Sequence, residues 1–204
     1  HLMTNAEWAA IALWCKKNGT MPKGNNNYGK DISETNLPQK AIPAAYDNKG
    51  KINTTFTGSG SASWYHDGKF SGIADLNGNV WEWLSGARLV NGEIQILENN
   101  DAADINNSQS ESSTLWKAIL PNGTLVAMGT IGSIKYSNYD NGSFENLNTV
   151  PPTNGEGTVL AESLCFIPQA DTQNGEYGNG IIFVSVSGEK MLVSGGNYTY
   201  KNTA

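Results

Sequence analysis

Charge is scarce in this chain: 16% of its 204 residues are Asp, Glu, Lys or Arg, with a formal net charge of −6. The thirteen basic residues are scattered. Displacing counterions from a phosphate backbone takes a basic stripe, so nucleic acid is excluded as a partner. Long apolar runs are missing too. The longest, "GIIFVSVSG" near residue 180, falls far short of the roughly 20 residues of a spanning helix, which excludes membrane insertion. Two cysteines, Cys15 and Cys165, stand far apart, and there are two histidines. Neither a disulfide framework nor a zinc-ligand spacing can be built from them, and both thiols read as buried and free.

In place of charge and apolar bulk the sequence carries Gly, Asn, Ser and Thr around six tryptophans and eight tyrosines. The opening "HLMTNAEWAAIALWCKKNG" predicts an amphipathic helix from about Asn5 to Lys17. Thr4 and Glu7 form a capping box, Trp8, Ile11, Ala12 and Cys15 recur at helical spacing, and Gly19 supplies the stop. From Thr20 to Gly60 the turn-forming composition predicts ordered loop. Asn91-Gly92 between apolar flanks predicts a hairpin. Residues 98–180 read as a polar insertion or long-loop region interrupted by strand-like runs such as "GTLVAMGTI", and "GIIFVSVSG" with "KMLVSGG" reads as a final strand pair. The expectation is a loop-rich α+β chain with an early helix and short antiparallel strands. Residues 1–204 read as one domain cut at both ends.

Few stretches carry chemistry. His66 beside Asp67 could be a base and its orienter, but no nucleophile motif accompanies it and a turn is the simpler reading. "GSGSAS" at 58–63 lacks the Lys-Ser/Thr ending of a phosphate loop. The triplets at Asn53, Asn122 and Asn141 read as turns and surface rather than glycan acceptors. "GIADLNGNVWEW" at 72–83 is different. A carboxylate between two tryptophans, just after an Asn-Gly turn, can join outward carbonyls around a hard cation such as calcium. Alternatively Trp81 and Trp83 are core anchors and Glu82 accepts backbone hydrogen bonds.

That stretch resembles the signature of the formylglycine-generating-enzyme, or sulfatase-modifying-factor, superfamily, a branch of the C-type lectin fold. "HLMTNAEWAAIA" is similar to the family's early helix, and "LVSGGNY" to its late Arg-Gly-Gly segment, with Ser194 in place of Arg. The resemblance implies the fold and a calcium ion held by the carbonyls of Asn77, Gly78 and Val80 and the carboxylate of Glu82. Packing of the two tryptophans on the core would then keep the loop convergent. No organic cofactor is implied. Catalytic members use two close cysteines near the C-terminus, and neither Cys15 nor Cys165 matches such a position.

"GTMPKGNN", "GARLVNGEIQI" and the Asn/Tyr/Thr-rich end "NYTYKNT" are similar instead to variable proteins of diversity-generating retroelements. That resemblance implies a non-catalytic ligand-binding protein on a phage tail or bacterial surface, facing a host-cell surface protein or glycan. Its contact face would hold Asn197, Tyr198, Tyr200, Lys201, Asn202 and Thr203. A homo-oligomer is left open. Two rival readings stay open as well. One is an oxidase of the formylglycine-generating type with catalytic residues beyond the C-terminus. The other is a calcium-dependent sugar-binding lectin, although the sugar-site triplets Glu-Pro-Asn, Gln-Pro-Asp and Trp-Asn-Asp are missing from the sequence.

Overall fold

The helix begins where its cap is built. In the computed structural model, which describes residues 1–35, 41–135, 160, 163–164 and 189–194, helix α1 runs Asn5–Asn18. The Glu7 N–H donates to Thr4 Oγ1 at 3.1 Å and the Thr4 N–H donates to Glu7 Oε2 at 2.9 Å, so two otherwise orphaned amides are satisfied reciprocally. At the other end Gly19 adopts φ +66°. The Gly19 and Thr20 amides donate back to the carbonyls of Lys16 and Cys15, a Schellman closure that needs the left-handed residue. Of the residues at helical spacing, Trp8 and Cys15 are buried and Ile11 and Ala12 are half-buried.

The strands form two antiparallel assemblies. A two-stranded ribbon pairs β1 (Pro43–Tyr46) with β2 (Ile52–Thr55). Its turn is held by Asp47, whose carboxylate accepts from the amides of Lys49 and Lys51 at 2.8 and 2.9 Å. A five-stranded sheet contains β3 (Glu82–Val90), β4 (Glu93–Leu97), β5 (Trp116–Ile119), β6 (Leu125–Ala127) and β7 (Glu189–Ser194) in the order β6-β5-β4-β3-β7. The β3–β4 hairpin closes on Asn91-Gly92 at φ 48° and 81° with Val90 opposite Glu93, the two-residue turn that the sequence predicts. All five β4 residues are buried, so both faces of the central strand are covered. Leu84, Leu89, Ile94, Ile96 and Ile119 form the apolar part of this sheet's core. The architecture is α+β and loop-rich.

Contacts divide the chain into two compact units. The described residues of the first are 1–10, 83–135, 160, 163–164 and 189–193; those of the second are 11–35, 41–82 and 194.

Two expectations need correction. Thr20–Gly60, expected as loop, contains the β1–β2 ribbon, and Asn53, expected in a turn, lies inside β2. Within 98–180, β6 falls in the strand-like run "GTLVAMGTI", while β5 was not expected at all. The run "GIIFVSVSG" lies outside the described residues, as do Cys165 and Asn141.

In the second unit, buried carboxylates do the work that apolar side chains do elsewhere. Asp31 is fully buried and accepts from Asn26 Nδ2 at 2.8 Å and from the Ser33 amide and hydroxyl at 2.8 and 2.6 Å. Glu34 accepts from Ser61 Oγ, Ser63 Oγ and Trp64 Nε1 at 3.0, 2.8 and 3.0 Å. Burial alone would raise the Glu34 carboxyl, but donors from Ser63, Trp64, Ser61 and the Asp31 amide outweigh it and lower it. A carboxylate lowered by folding stabilises the native state above its unfolded value of about 4.3, and that contribution is lost as pH falls through the folded value. Urea midpoints should therefore drop as pH falls below about 5, and Glu34→Gln should flatten part of that slope. An unchanged slope in the variant would mean that the carboxylate is not held by these donors.

Candidate functional site

The signature turn is fixed by backbone pairing and one asparagine. Gly78 and Asn25 form an isolated parallel bridge, and the Asn79 amide donates to the Asn25 carbonyl at 2.8 Å. Gly24 is required for this approach, because a Cβ there would sit 1.7 Å from the Asn77 carbonyl oxygen. Asn79, in the left-handed region at φ 66° and 5% exposed, clamps the turn to β2. Its Oδ1 accepts the Thr55 amide at 2.8 Å and Asn25 Nδ2 at 3.2 Å, and its Nδ2 donates to the Thr55 carbonyl at 3.0 Å. Asn is suited to this position, since it tolerates positive φ and offers donor and acceptor together.

The tryptophans do not have the anchoring task expected of them. Trp83 is 60% exposed and Trp81 is half-buried. Burial falls instead to Leu76 and Trp64 in the second unit and to Leu84 in the first. The physical reason is the pleat of β3: with Leu84 turned into the core, its neighbour Trp83 faces the other way.

Four residues of the expected calcium set stand on this turn. Gly78 is buried, Val80 and Glu82 are exposed, and the Asn77 carbonyl lies against Gly24. Asp75, which no pattern in the sequence singles out, joins them. It is 5% exposed at φ 58°. Its Oδ2 accepts the Gly58 amide at 2.7 Å, whereas its Oδ1 is buried with no hydrogen-bond partner among the described residues. Burial pushes the Asp75 carboxyl up, against the Gly58 hydrogen bond. Glu82 is exposed by area, yet desolvation and then the Asp75 charge push its carboxyl up as well. An unpartnered oxygen on Asp75 and the Asp75 charge felt at Glu82 are features that a hard cation would offset. Among the described residues no three His, Cys, Asp or Glu side chains converge, so backbone oxygens and water would complete the coordination.

The other candidates resolve as structure. His66 Nδ1 accepts the Ile73 amide at 2.8 Å, and its ring lies 5.3 Å from that of Trp14. Asp67 Oδ1 accepts the Lys69 amide at 3.0 Å, so it serves its own turn. The "GSGSAS" stretch supplies the Ser61 and Ser63 donors to Glu34 and the Gly58 donor to Asp75. Asn122 Oδ1 accepts the Thr124 amide at 3.1 Å, a turn as expected. Cys15 is buried and free, and its thiol donates to the His66 carbonyl at 3.2 Å. Burial pushes that thiol up, away from the reactive thiolate. Asn197, Tyr198, Tyr200, Lys201, Asn202 and Thr203 lie outside the described residues.

The first unit carries a concavity of about 350 Å³ lined in part by Arg88, Glu93, Gln95 and Lys135. Arg88 Nε donates to Gln95 Oε1 at 2.8 Å, and its guanidinium stands 4.2 Å over the Trp116 ring. Gln95 Nε2 and the Gly129 amide donate to Glu93 Oε1 at 2.7 and 2.9 Å. These bonds tie β3, β4 and the loop after β6 together. No protein-family model matches the chain, and no curated protein does.

Proposed function

We propose that the chain is a non-catalytic ligand-binding protein that uses a C-type-lectin scaffold of the formylglycine-generating-enzyme type to present a variable surface. The setting would be a phage tail or a bacterial surface, and the partner a host-cell surface protein or glycan. The observation that carries this reading is how the irregular part of the chain is held. Asn25, Asn26, Asp31 and Asn79 are all buried and bond backbone groups of β2 and of neighbouring loops, or one another. Such clamps fix loops without regular structure, which is what a scaffold needs if its surface is to change while its frame does not. The raised, hydrogen-bonded Cys15 thiol makes that residue itself no candidate nucleophile.

The contact residues are Asn197, Tyr198, Tyr200, Lys201, Asn202 and Thr203. Tyr supplies rigid amphipathic area at low entropy cost and Asn supplies adaptable hydrogen bonding. Calcium on the turn that carries Glu82 belongs to the same proposal, as a brace for the frame. Replacing Tyr198 and Tyr200 with Ala should abolish binding to the target cell surface while stability stays within about 0.5 kcal/mol. Full binding by the double variant, or a collapse in melting temperature, would overturn the assignment of these residues to the contact face.

A further inference from the structure

We propose that the concavity on the β3–β4 hairpin binds a small linear zwitterion, its carboxylate on Lys135 and its ammonium on Glu111. This goes beyond the contact residues above and does not depend on them. The pairing of the hairpin builds the floor. Arg88 stands opposite Gln95 and Val90 opposite Glu93, and residues two apart on a strand share a face. The other face carries Ala87, Leu89, Ile94 and Ile96, all buried, and is apolar core. Arg88, Glu93 and Gln95 are buried as well, although they line the concavity of about 350 Å³. Apolar residues of similar size would often hold such a face together as well or better. Stability alone does not account for the polar floor.

That floor is fixed before any ligand arrives. Arg88 Nε donates to Gln95 Oε1, Gln95 Nε2 to Glu93 Oε1, and Ser133 Oγ to Glu93 Oε2. Burial alone would raise the Glu93 carboxyl, but donors from Ser133, Gly129 and Gln95 and the Lys135 charge outweigh it and lower it. The floor therefore keeps its charges at neutral pH. A ligand meets dipoles that are already ordered, so part of the usual cost of binding is absent. Its own charges fall to the rim. The Lys135 side chain is half-exposed, and its ion pair with Glu93 is 3.9 Å long, beyond hydrogen-bond range. Glu111 is exposed, and its carboxylate has no hydrogen bond or ion pair among the described residues.

The balance of signs sets the chemistry of the ligand. Arg88 and Lys135 share the concavity with Glu93 and Glu111, so a ligand of either net charge meets repulsion as near as attraction. An apolar ligand would desolvate these groups without pairing them. A zwitterion can set each charge against its opposite. The two rim groups lie at different ends: Lys135 is bridged to Glu93, and the Glu111 carbonyl accepts Arg88 Nη2 at 3.3 Å. The Arg88 and Glu93 rows of the hairpin are two residues apart, about 7 Å. An extended dipeptide spans about that length and a single α-amino acid does not. The volume lies at the small end of the range for ligand pockets, as a ligand of this size requires.

The test is titration of the nitrogen-15-labelled full chain with glycylglycine, read by NMR shifts of its amides. Cyclic glycylglycine, which has the same peptide groups and no charges, is the control. The titration is repeated on Lys135→Gln and Glu111→Gln, both at exposed positions whose replacement leaves the fold in place. The wild type should show saturable shifts at millimolar glycylglycine that include the Gly129 amide and the Gln95 side-chain amide. The cyclic compound should leave them unmoved, and each variant should lose affinity about fivefold or more, the loss of one charge pair. Three results would overturn the inference: no saturable shift in the wild type, an equal response to the cyclic compound, or wild-type affinity in either variant.

Discussion

Gly24→Ala should prevent stable folding or cost about 3–5 kcal/mol, far more than an ordinary glycine-to-alanine change. The added methyl would fall 1.7 Å from the Asn77 carbonyl oxygen and 3.3 Å from the Gly78 nitrogen. Both are backbone atoms and neither can swing aside as a side-chain end would. The second backbone contact lies in the Asn25–Gly78 bridge, so the turn that leads to Glu82 moves with it. A useful comparison is Gly50→Ala. Gly50 sits at φ +74°, and a methyl there would meet nothing within 4 Å, so only the left-handed backbone penalty of about 1–2 kcal/mol applies. Urea denaturation of the two variants therefore separates steric exclusion from conformational strain. Equal losses would mean that the Gly24–Asn77 approach is not tight.

The second large effect is at Asn79. Its replacement by Ala removes acceptors from the Thr55 amide and Asn25 Nδ2 and a donor to the Thr55 carbonyl. The groups left behind are buried, and each unsatisfied one costs about 1–3 kcal/mol. Ala is also strained at φ 66°, a conformation that Asn adopts more readily. A loss of about 3–5 kcal/mol is expected. Asn79→Gly relieves the backbone penalty and keeps the hydrogen-bond loss, so it should recover about 1 kcal/mol and no more. Recovery to wild-type stability would place the whole effect in the backbone.

The elements with local causes were legible in the sequence. The capping box at Thr4 and Glu7, the stop at Gly19 and the Asn91-Gly92 turn each depend on residues a few positions apart, and each stands where its chemistry requires. β5 was hidden although the Asn122-Gly123 turn follows it, because "WKAI" is only four residues long. Its place is set by pairing with β4 and β6. β1 was hidden by Pro43, which reads as a strand breaker and is tolerated only at an edge or a strand's first residue.

The candidate site was half legible. "NGNVWEW" marked a special turn, but the pairing of Gly78 with Asn25 is a contact across more than fifty positions, and nothing local announces it. The tryptophans misled for a physical reason: a large apolar side chain raises the odds of burial without deciding which face of a strand it takes. Asp75 was missed because its significance lies in an oxygen that lacks a partner, a property of the fold rather than of any motif.

The signature stretch is a frame clamped by asparagine and backbone, with Trp83 outside the clamp. The most direct measurement of that central claim is equilibrium urea denaturation of Asn79→Ala beside Trp83→Ala. Trp83 is 60% exposed, so its loss should cost about 1 kcal/mol or less while Asn79→Ala costs about 3 kcal/mol or more. The reverse order, with Trp83→Ala the more damaging, would return the tryptophan to the core and contradict the claim.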